Sequence, residues 1–222
     1  ALAPEKPEEL DFRDIAGHDM AKRAFQIAAA GGHGLLMMGP PGSGKTMLAS
    51  RLPSILAPLS RSEALEAAVI HSVAGHDAAP LLAGIRPFHA PHHCATLAGL
   101  VGGGSPPRPG AISLAQNGVL VLDELPEFAP SVLQGIRQPM ESGEVVVTRA
   151  DGSVRFPARF MLVAAANPCP CGFFGDSERS CTCSQRQVHQ YQGRVGGPLM
   201  DRIDVHIDVA RIPPGQVLST GK

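Results

Sequence analysis

Apolar runs closed by glycine, proline or acidic residues mark the core strands of this chain. Leu35-Leu36-Met37-Met38, residues 119–123 and residues 160–165 show no polar alternation, the pattern of strands buried on both faces. A fourth core strand is predicted at residues 205–209. Between these segments the spacing changes to the helical period. Ala21, Ala24, Phe25, Ile27 and Ala28 predict a helix over residues 11–30, ended by Gly31-Gly32. Residues 46–52 read as a helix disturbed at Pro53. Ser60-Arg61-Ser62-Glu63 is a capping box opening a helix that runs to Val73 and stops at Gly75. Residues 130–141 read as a further helix. Residues 144–149 and 154–156 alternate as strands across Asp151-Gly152, a hairpin signal. Residues 86–110, dense in proline and glycine, read as an irregular insert, and residues 1–10 as a flexible lead-in. Strands alternating with helices predict an α/β domain built on a parallel sheet covered on both faces.

Composition narrows the class only a little. The 222 residues are 44% hydrophobic, yet no apolar stretch approaches the ~18 residues of a membrane-spanning helix. The acid- and proline-rich start has no apolar leader segment, so a cytoplasmic protein is expected. A net charge of −1 supplies no general field for nucleic acid, and any such binding must use a local patch. Five cysteines in that setting favour metal or free thiols over disulfides.

The chemistry begins directly after the first apolar run. Gly39-Pro40-Pro41-Gly42-Ser43-Gly44-Lys45-Thr46 is the Walker A pattern in its required context, between a buried strand and a helix. Glycines let backbone N–H groups turn towards a phosphate, and the following helix adds the positive end of its dipole. Lys45 is expected on the β- and γ-phosphates, the Thr46 hydroxyl on Mg²⁺, and Met47 beside the nucleotide. The chain is therefore expected to bind ATP. The second apolar strand ends in Asp123-Glu124, the Walker B form, with Asp123 expected to help hold Mg²⁺ and Glu124 to polarise the attacking water. Asn167 follows the third strand, where it can orient that water, although an Asn-Pro pair by itself marks only a turn.

Walker A, an Asp-Glu Walker B and an asparagine after the next strand together resemble an AAA+ ATPase. The resemblance implies a five-stranded parallel sheet and a sensor 1 role for Asn167. Asp14-Ile15-Ala16-Gly17-His18 resembles the segment lining the adenine pocket, which adds Ile15 and Gly17 to the nucleotide site. Within residues 86–110, the stretch 96–110 resembles a helix-2 insert, and residues 144–157 a pre-sensor-1 hairpin. Four longer segments are similar to the magnesium-chelatase-like ComM (YifB) family of bacteria. They are Phe88-His89-Ala90-Pro91-His92-His93, Asn117 to Phe128, Asn167-Pro168-Cys169-Pro170-Cys171-Gly172, and Gly197-Pro198-Leu199-Met200-Asp201-Arg202-Ile203-Asp204. The resemblance covers residues 11–209, with the ATPase core at 11–210. It implies a helical lid beyond the tail of residues 211–222 and an N-terminal Lon-protease-like domain, both outside this chain, so this segment alone is expected to bind nucleotide weakly and turn over little.

By the same resemblance, Arg202 acts as an arginine finger on the ATP of a neighbouring subunit, which implies a ring, expected to be a hexamer. Arg194 is a second candidate for that role. Without the family, Arg202 reads as a surface arginine paired with Asp201 or Asp204. In the lobe of residues 168–184, Cys169-x-Cys171 and Cys181-x-Cys183 make a plausible four-sulfur Zn²⁺ site, with free thiols or inter-strand disulfides as the alternatives. Cys94 reads as a plain loop thiol. His89, His92 and His93, with Cys94, suggest a metal cluster, but no carboxylate or cysteine pair completes it in the usual spacing, and a polar insert facing a pore or a partner is the stronger reading.

Two functions fit. One is a DNA-remodelling motor, since ComM-like proteins are associated with branch migration during natural transformation. Phosphate contacts would then come from Arg149, Arg155 and Arg159, with Arg86, His92 and Arg108 from the insert. The other is a chelatase-type motor subunit acting on a protein partner that inserts Mg²⁺ into a porphyrin. A nucleotide switch without hydrolysis is disfavoured by Glu124, Asn167 and Arg202 together.

Overall fold

The computed structural model describes residues 10–149, 152–195 and 199–212. In chain order the elements are α1 (Asp19–Gly31), β1 (Leu35–Met38), α2 (Lys45–Arg51), α3 (Arg61–Ala74), α4 (Ala79–Leu82), β2 (Phe88–His89), α5 (Leu97–Val101), β3 (Gly102–Gly103), β4 (Arg108–Pro109), α6 (Ala111–Leu114) and β5 (Gly118–Leu122). They continue with α7 (Pro130–Ser142), β6 (Glu144–Arg149), β7 (Gly152–Pro157), β8 (Phe160–Ala166), α8 (Gln185–Val195) and β9 (Val205–Asp208).

The main sheet has five strands in the order β2-β5-β8-β1-β9, and every pairing in it is parallel. Its central strands are apolar throughout because both faces are covered. Successive side chains point to opposite faces. Leu35, Met37, Val119, Val121 and Val163 pack with Phe25, Ala28 and Leu48 of α1 and α2. Leu36, Leu120, Leu122 and Leu162 face the other way, onto Leu100, Ile112, Val132 and Ile136 of α5, α6 and α7. Edge strand β9 alternates instead: Val205 and Ile207 turn inward while His206 and Asp208 are exposed. This is the expected P-loop AAA+ core.

Three expectations need correction. The predicted first helix does not begin at residue 11. Phe12–Asp14 is a 3-10 turn capped by the Asp11 carboxylate. Gly17 (φ 61°) and His18 (φ 55°) then lie in the left-handed region, which breaks the helix until Asp19. Phe12 and Ile15, both buried, are three apart and so imitate the helical period. The insert at 86–110 is not wholly irregular either: its second and third residues beyond Arg86 form β2, the fifth strand of the sheet. In the hairpin, Gly152 pairs with Arg149 and belongs to β7 rather than to the turn. Residues 150 and 151 lie outside the described residues, as do 1–9, 196–198 (with Gly197 and Pro198 of the Arg202 motif) and 213–222. Helix α8 was not foreseen, because its buried Val188 and Tyr191 are isolated among polar residues.

A histidine cluster sits beside edge strand β2. His71 of α3 bonds the Leu114 carbonyl of α6 through Nε2 at 2.9 Å, and its ring lies 5.7 Å from His89 and 5.9 Å from His76. Burial, then the neighbouring His71 and His76, push His89 down to about 4. Its folded-state pKa thus lies below the unfolded value of about 6.5. The stability that neutral His89 contributes is present above pH 6.5 and is lost as pH falls towards 4. Thermal unfolding at pH 7 and pH 5 checks this: the melting temperature should drop by several degrees in the native chain and by less in His89→Gln. Equal drops would show that His89 does not contribute to the pH dependence of unfolding.

Candidate functional site: a nucleotide pocket at the strand ends

The Walker A loop joins the end of β1 to the start of α2. Gly39 is required there, since a Cβ would collide with the Val209 carbonyl oxygen. Gly42 and Gly44 take φ values of 76° and 88°, which suit glycine and turn the backbone inward. Gly44 is the N-cap of α2 and the helix has no side-chain cap. Ser43 Oγ is buried with no hydrogen-bond partner among the described residues. Lys45, only 8% exposed, donates from Nζ to the Gly39 carbonyl (2.7 Å), the Pro40 carbonyl (2.9 Å) and Asn167 Oδ1 (3.2 Å). Burial lowers the Lys45 pKa, while the charges of Asp123 and Glu124 work against that shift. A buried ammonium held by three neutral oxygens, next to an orphaned hydroxyl, fits a site for anionic oxygens.

Strands β5 and β8 bring the remaining groups to the same end of the sheet. Thr46 Oγ1 donates to Asp123 Oδ2 at 2.6 Å across 77 positions of sequence. Asp123 Oδ1 accepts the Glu124 N–H at 2.9 Å. Hydroxyl and carboxylate side by side form the oxygen donor set that suits Mg²⁺. Glu124 itself is left-handed (φ 54°), and its Oε2 lies 3.0 Å from His93 Nδ1. The structure thus joins Lys45, Thr46, Asp123, Glu124 and Asn167 in one cluster. It adds His93, which sequence reasoning had placed on a partner-facing insert; its place after β2 was the only available signal.

On the other flank of the loop, Ile15 is 2% exposed and packs in the core shared by Phe25 and Met47. A Cβ on Gly17 would come 2.8 Å from Ile212 Cδ1. His18 Nε2 lies by Gly44, and burial, helped by Lys22, lowers the His18 pKa. Pro41 and Gly42 are exposed at the loop tip.

Arg202 stands elsewhere. It precedes β9, whose Val205 pairs with Leu35 at the start of β1. The Walker loop follows the far end of β1, about 13 Å away for four residues at ~3.3 Å each. Arg202 therefore does not reach the site of its own chain. It is half-exposed and donates from Nη2 to Glu141 Oε1 at 2.8 Å. Arg137 first, then Arg202, lower the pKa of Glu141. The expected partners Asp201 and Asp204 are not used; Asp204 instead faces His33 at 3.1 Å. Arg194 is exposed on α8.

Of the arginines considered for phosphate, Arg155 is exposed on β7 and paired with Glu144 at 2.6 Å. Arg149 ends β6, its side chain outside the described residues. Arg86 is not available: it clamps the Ala57 and Asn117 carbonyls, each at 2.6 Å, and Glu63, because it ties the start of β2 to α3.

The four lobe cysteines converge although 168–184 contains no helix or strand. Cys169 and Cys171 Sγ are 3.4 Å apart, Cys169 and Cys181 3.7 Å, and Cys171 and Cys181 3.6 Å. All four sulfurs lie within 4.8 Å of one another. These separations are too long for S–S bonds, and all four are free cysteines. A tetrahedral Zn²⁺ with ~2.3 Å bonds places sulfurs about 3.8 Å apart, which this arrangement fits. Backbone N–H groups of Phe173 and Thr182 pull the Cys171 thiol down to about 5, while burial and the neighbouring sulfurs push Cys181 and Cys183 up, so the metal reading rests on the sulfur geometry. His92, His93 and Cys94 also lie close together, with Cys94 exposed.

Residues 11–217 match the family profile described as magnesium chelatase, subunit ChlI. The chain is 51% identical over 213 residues to competence protein ComM of Haemophilus influenzae, covering 96% of this chain and 41% of that protein. It is 47% identical over 210 residues to the uncharacterized protein YifB of Escherichia coli, covering 95% and 41%. The chain thus spans about two fifths of the length of these curated relatives. A shorter match, 38% over 61 residues, joins 28% of this chain to 18% of the magnesium-chelatase 38 kDa subunit of Cereibacter sphaeroides. Among solved structures, NtrX from Brucella abortus in complex with ATP superposes with a TM-score of 0.55 at 16% identity, over 88% of this chain and 38% of NtrX, a likeness of fold.

Proposed function

The chain belongs to the magnesium chelatase-like ComM family, and from that premise we propose that it is the ATPase core of a ring-forming motor that remodels branched DNA. The observation that carries the ATPase reading is the convergence of Lys45, Thr46, Asp123, Glu124 and Asn167 at the ends of three adjacent strands. On this reading Lys45 exchanges the Gly39 and Pro40 carbonyls for phosphate oxygens, and Ser43 gains a partner. Thr46 and Asp123 would hold Mg²⁺, which would supply positive charge beside the phosphates. Asn167, released by Lys45, orients the water. Glu124 takes the proton from that water as its oxygen bonds the γ-phosphorus and the bond to the β-phosphate oxygen breaks. Arg202 of a neighbouring chain supplies the last positive charge. We read the four-cysteine lobe as a structural Zn²⁺ site. Among the described residues no helix is long and apolar enough to cross a membrane.

The DNA reading is supported by 51% identity to a competence protein over 96% of this chain, against 38% over 28% for a chelatase subunit; the magnesium chelatase profile over residues 11–217 is shared by both readings. Contacts are assigned to the β6–β7 hairpin through Arg149 and the exposed Arg155. The test is ATP turnover and binding by the full-length protein with forked DNA, linear duplex or no DNA. Forked DNA should raise turnover severalfold, and charge reversal in Arg155→Glu should weaken binding and flatten its salt dependence by about one phosphate contact. A nucleotide-bound ring that ignores forked DNA would overturn this reading in favour of a protein partner, as in the chelatase.

A further inference from the structure

We propose that the four-cysteine lobe is a metal-held brace for the Walker A loop, so that zinc occupancy of the lobe sets nucleotide affinity. The inference rests on the nucleotide and zinc readings above and adds a coupling between them.

The contact is direct. Gly172 follows the second cysteine of the first pair and packs on the ring of Pro41 in the Walker loop. A Cβ on Gly172 would stand 2.5 Å from Pro41 Cδ and 2.6 Å from its Cγ. Gly172 is also left-handed (φ 84°), so the backbone turns there to bring the lobe against the loop. A second link crosses the same gap. Arg211, at the end of the segment after β9, donates from Nη2 to the Pro41 carbonyl at 3.2 Å. Its Nη1 reaches Glu178 Oε2 at 3.4 Å and Asp176 Oδ2 at 3.7 Å, and its guanidinium lies 5.4 Å from the Phe173 ring centre. Asp176 is nearly buried, 4% exposed in its side chain, and accepts the Glu178 and Arg179 N–H groups. Exposed Pro41 is thus met at its ring by Gly172 of the lobe and at its carbonyl by Arg211, which is itself bound to the lobe. Between loop and lobe lies a cleft of about 540 Å³, lined by Gly39 and Pro40 on one wall and Phe174, Asp176 and Glu178 on the other.

The lobe has little else to hold its shape. It lacks regular secondary structure, and Cys171 and Cys181 are brought together across a nine-residue link of turns and bends. Cross-linking four thiolates through one ion supplies the order that a backbone ladder would supply elsewhere, so metal binding is folding for such a segment. When the ion leaves, the lobe loosens first, and Pro41 loses its platform. The loop amides must then be ordered by the nucleotide itself, which lowers affinity.

The test uses the full-length protein purified without chelator. Metal analysis should find one zinc per chain. Stripping it with a zinc-selective chelator, followed by exchange into excess Mg²⁺, should weaken binding of a fluorescent ATP analogue by about tenfold, and adding Zn²⁺ back should restore it. Gly172→Ala and Arg211→Ala should each keep zinc and a cooperative unfolding transition, yet bind the analogue several times more weakly. These variants decide the matter if stripping unfolds the chain. An absence of zinc overturns the proposal at its base. Zinc present, with affinity unchanged on stripping and in both variants, overturns the brace while the zinc and nucleotide readings stand. A zinc-loaded native chain that binds no nucleotide overturns the brace together with the nucleotide reading.

Discussion

Replacing Glu124 with glutamine in the full-length protein should stop ATP turnover without releasing the nucleotide. The amide is nearly isosteric with the carboxylate but accepts no proton, so the water loses its base. General-base catalysis accounts for about 10²–10⁴ in rate, and turnover should fall by that factor. Binding should change little, since on the proposed reading Lys45, Ser43 and the loop amides hold the phosphates. Lys45→Ala is the contrasting variant. It removes the buried ammonium that now holds Gly39, Pro40 and Asn167, so nucleotide binding and turnover should fail together. Equilibrium binding beside steady-state phosphate release separates the two. Equal loss of affinity in both variants would mean that Glu124 is part of the loop's architecture and not its base.

Arg202→Ala should lower turnover by up to about 10³–10⁵, the range for arginine fingers supplied in trans, while each site keeps its nucleotide. On the proposed finger reading Arg202 acts in trans, because it and the Walker loop of its own chain lie at opposite ends of the strands. Its pairing with Glu141 is no obstacle. An exposed ion pair is worth about 0–1 kcal/mol, far less than charge neutralisation at a water-excluded phosphate. Mixing supplies the decisive reading. Arg202→Ala chains retain an intact pocket, and Glu124→Gln chains retain an intact arginine. A ring containing both should regain turnover that neither has alone. Full turnover by Arg202→Ala in a demonstrated ring, or no recovery on mixing, would assign Arg202 to the surface.

Much of the site was legible because its signals are local. The Walker loop needs glycine where φ is positive or where backbone approaches backbone, as at Gly39, Gly42 and Gly44, and that need is written residue by residue. Asp123-Glu124 and Asn167 were readable because they follow strands whose unbroken apolar runs announce burial on two faces. The misreadings have the same origin. Phe12 and Ile15 carry the helical period without a helix, since the left-handed pair Gly17-His18 decides the backbone after them. Strand β2 has only two residues, too few for any periodicity, and it exists because Phe88 and His89 pair with Val119 and Leu120.

The sequence by itself therefore determined the sheet's central strands, the capped helix Arg61–Ala74 and the glycine-rich and acidic segments at the strand ends. These depend on side-chain period and on conformational preferences within a few residues. Only the tertiary structure decided which distant segments meet. It set His93 against Glu124, Arg202 against Glu141, Arg86 into a clamp, and the cysteine lobe against Pro41. A period of 2 or 3.6 says which face of an element is buried, but not what buries it. That choice is made by packing two faces of one sheet at once, which no local stretch of the chain encodes.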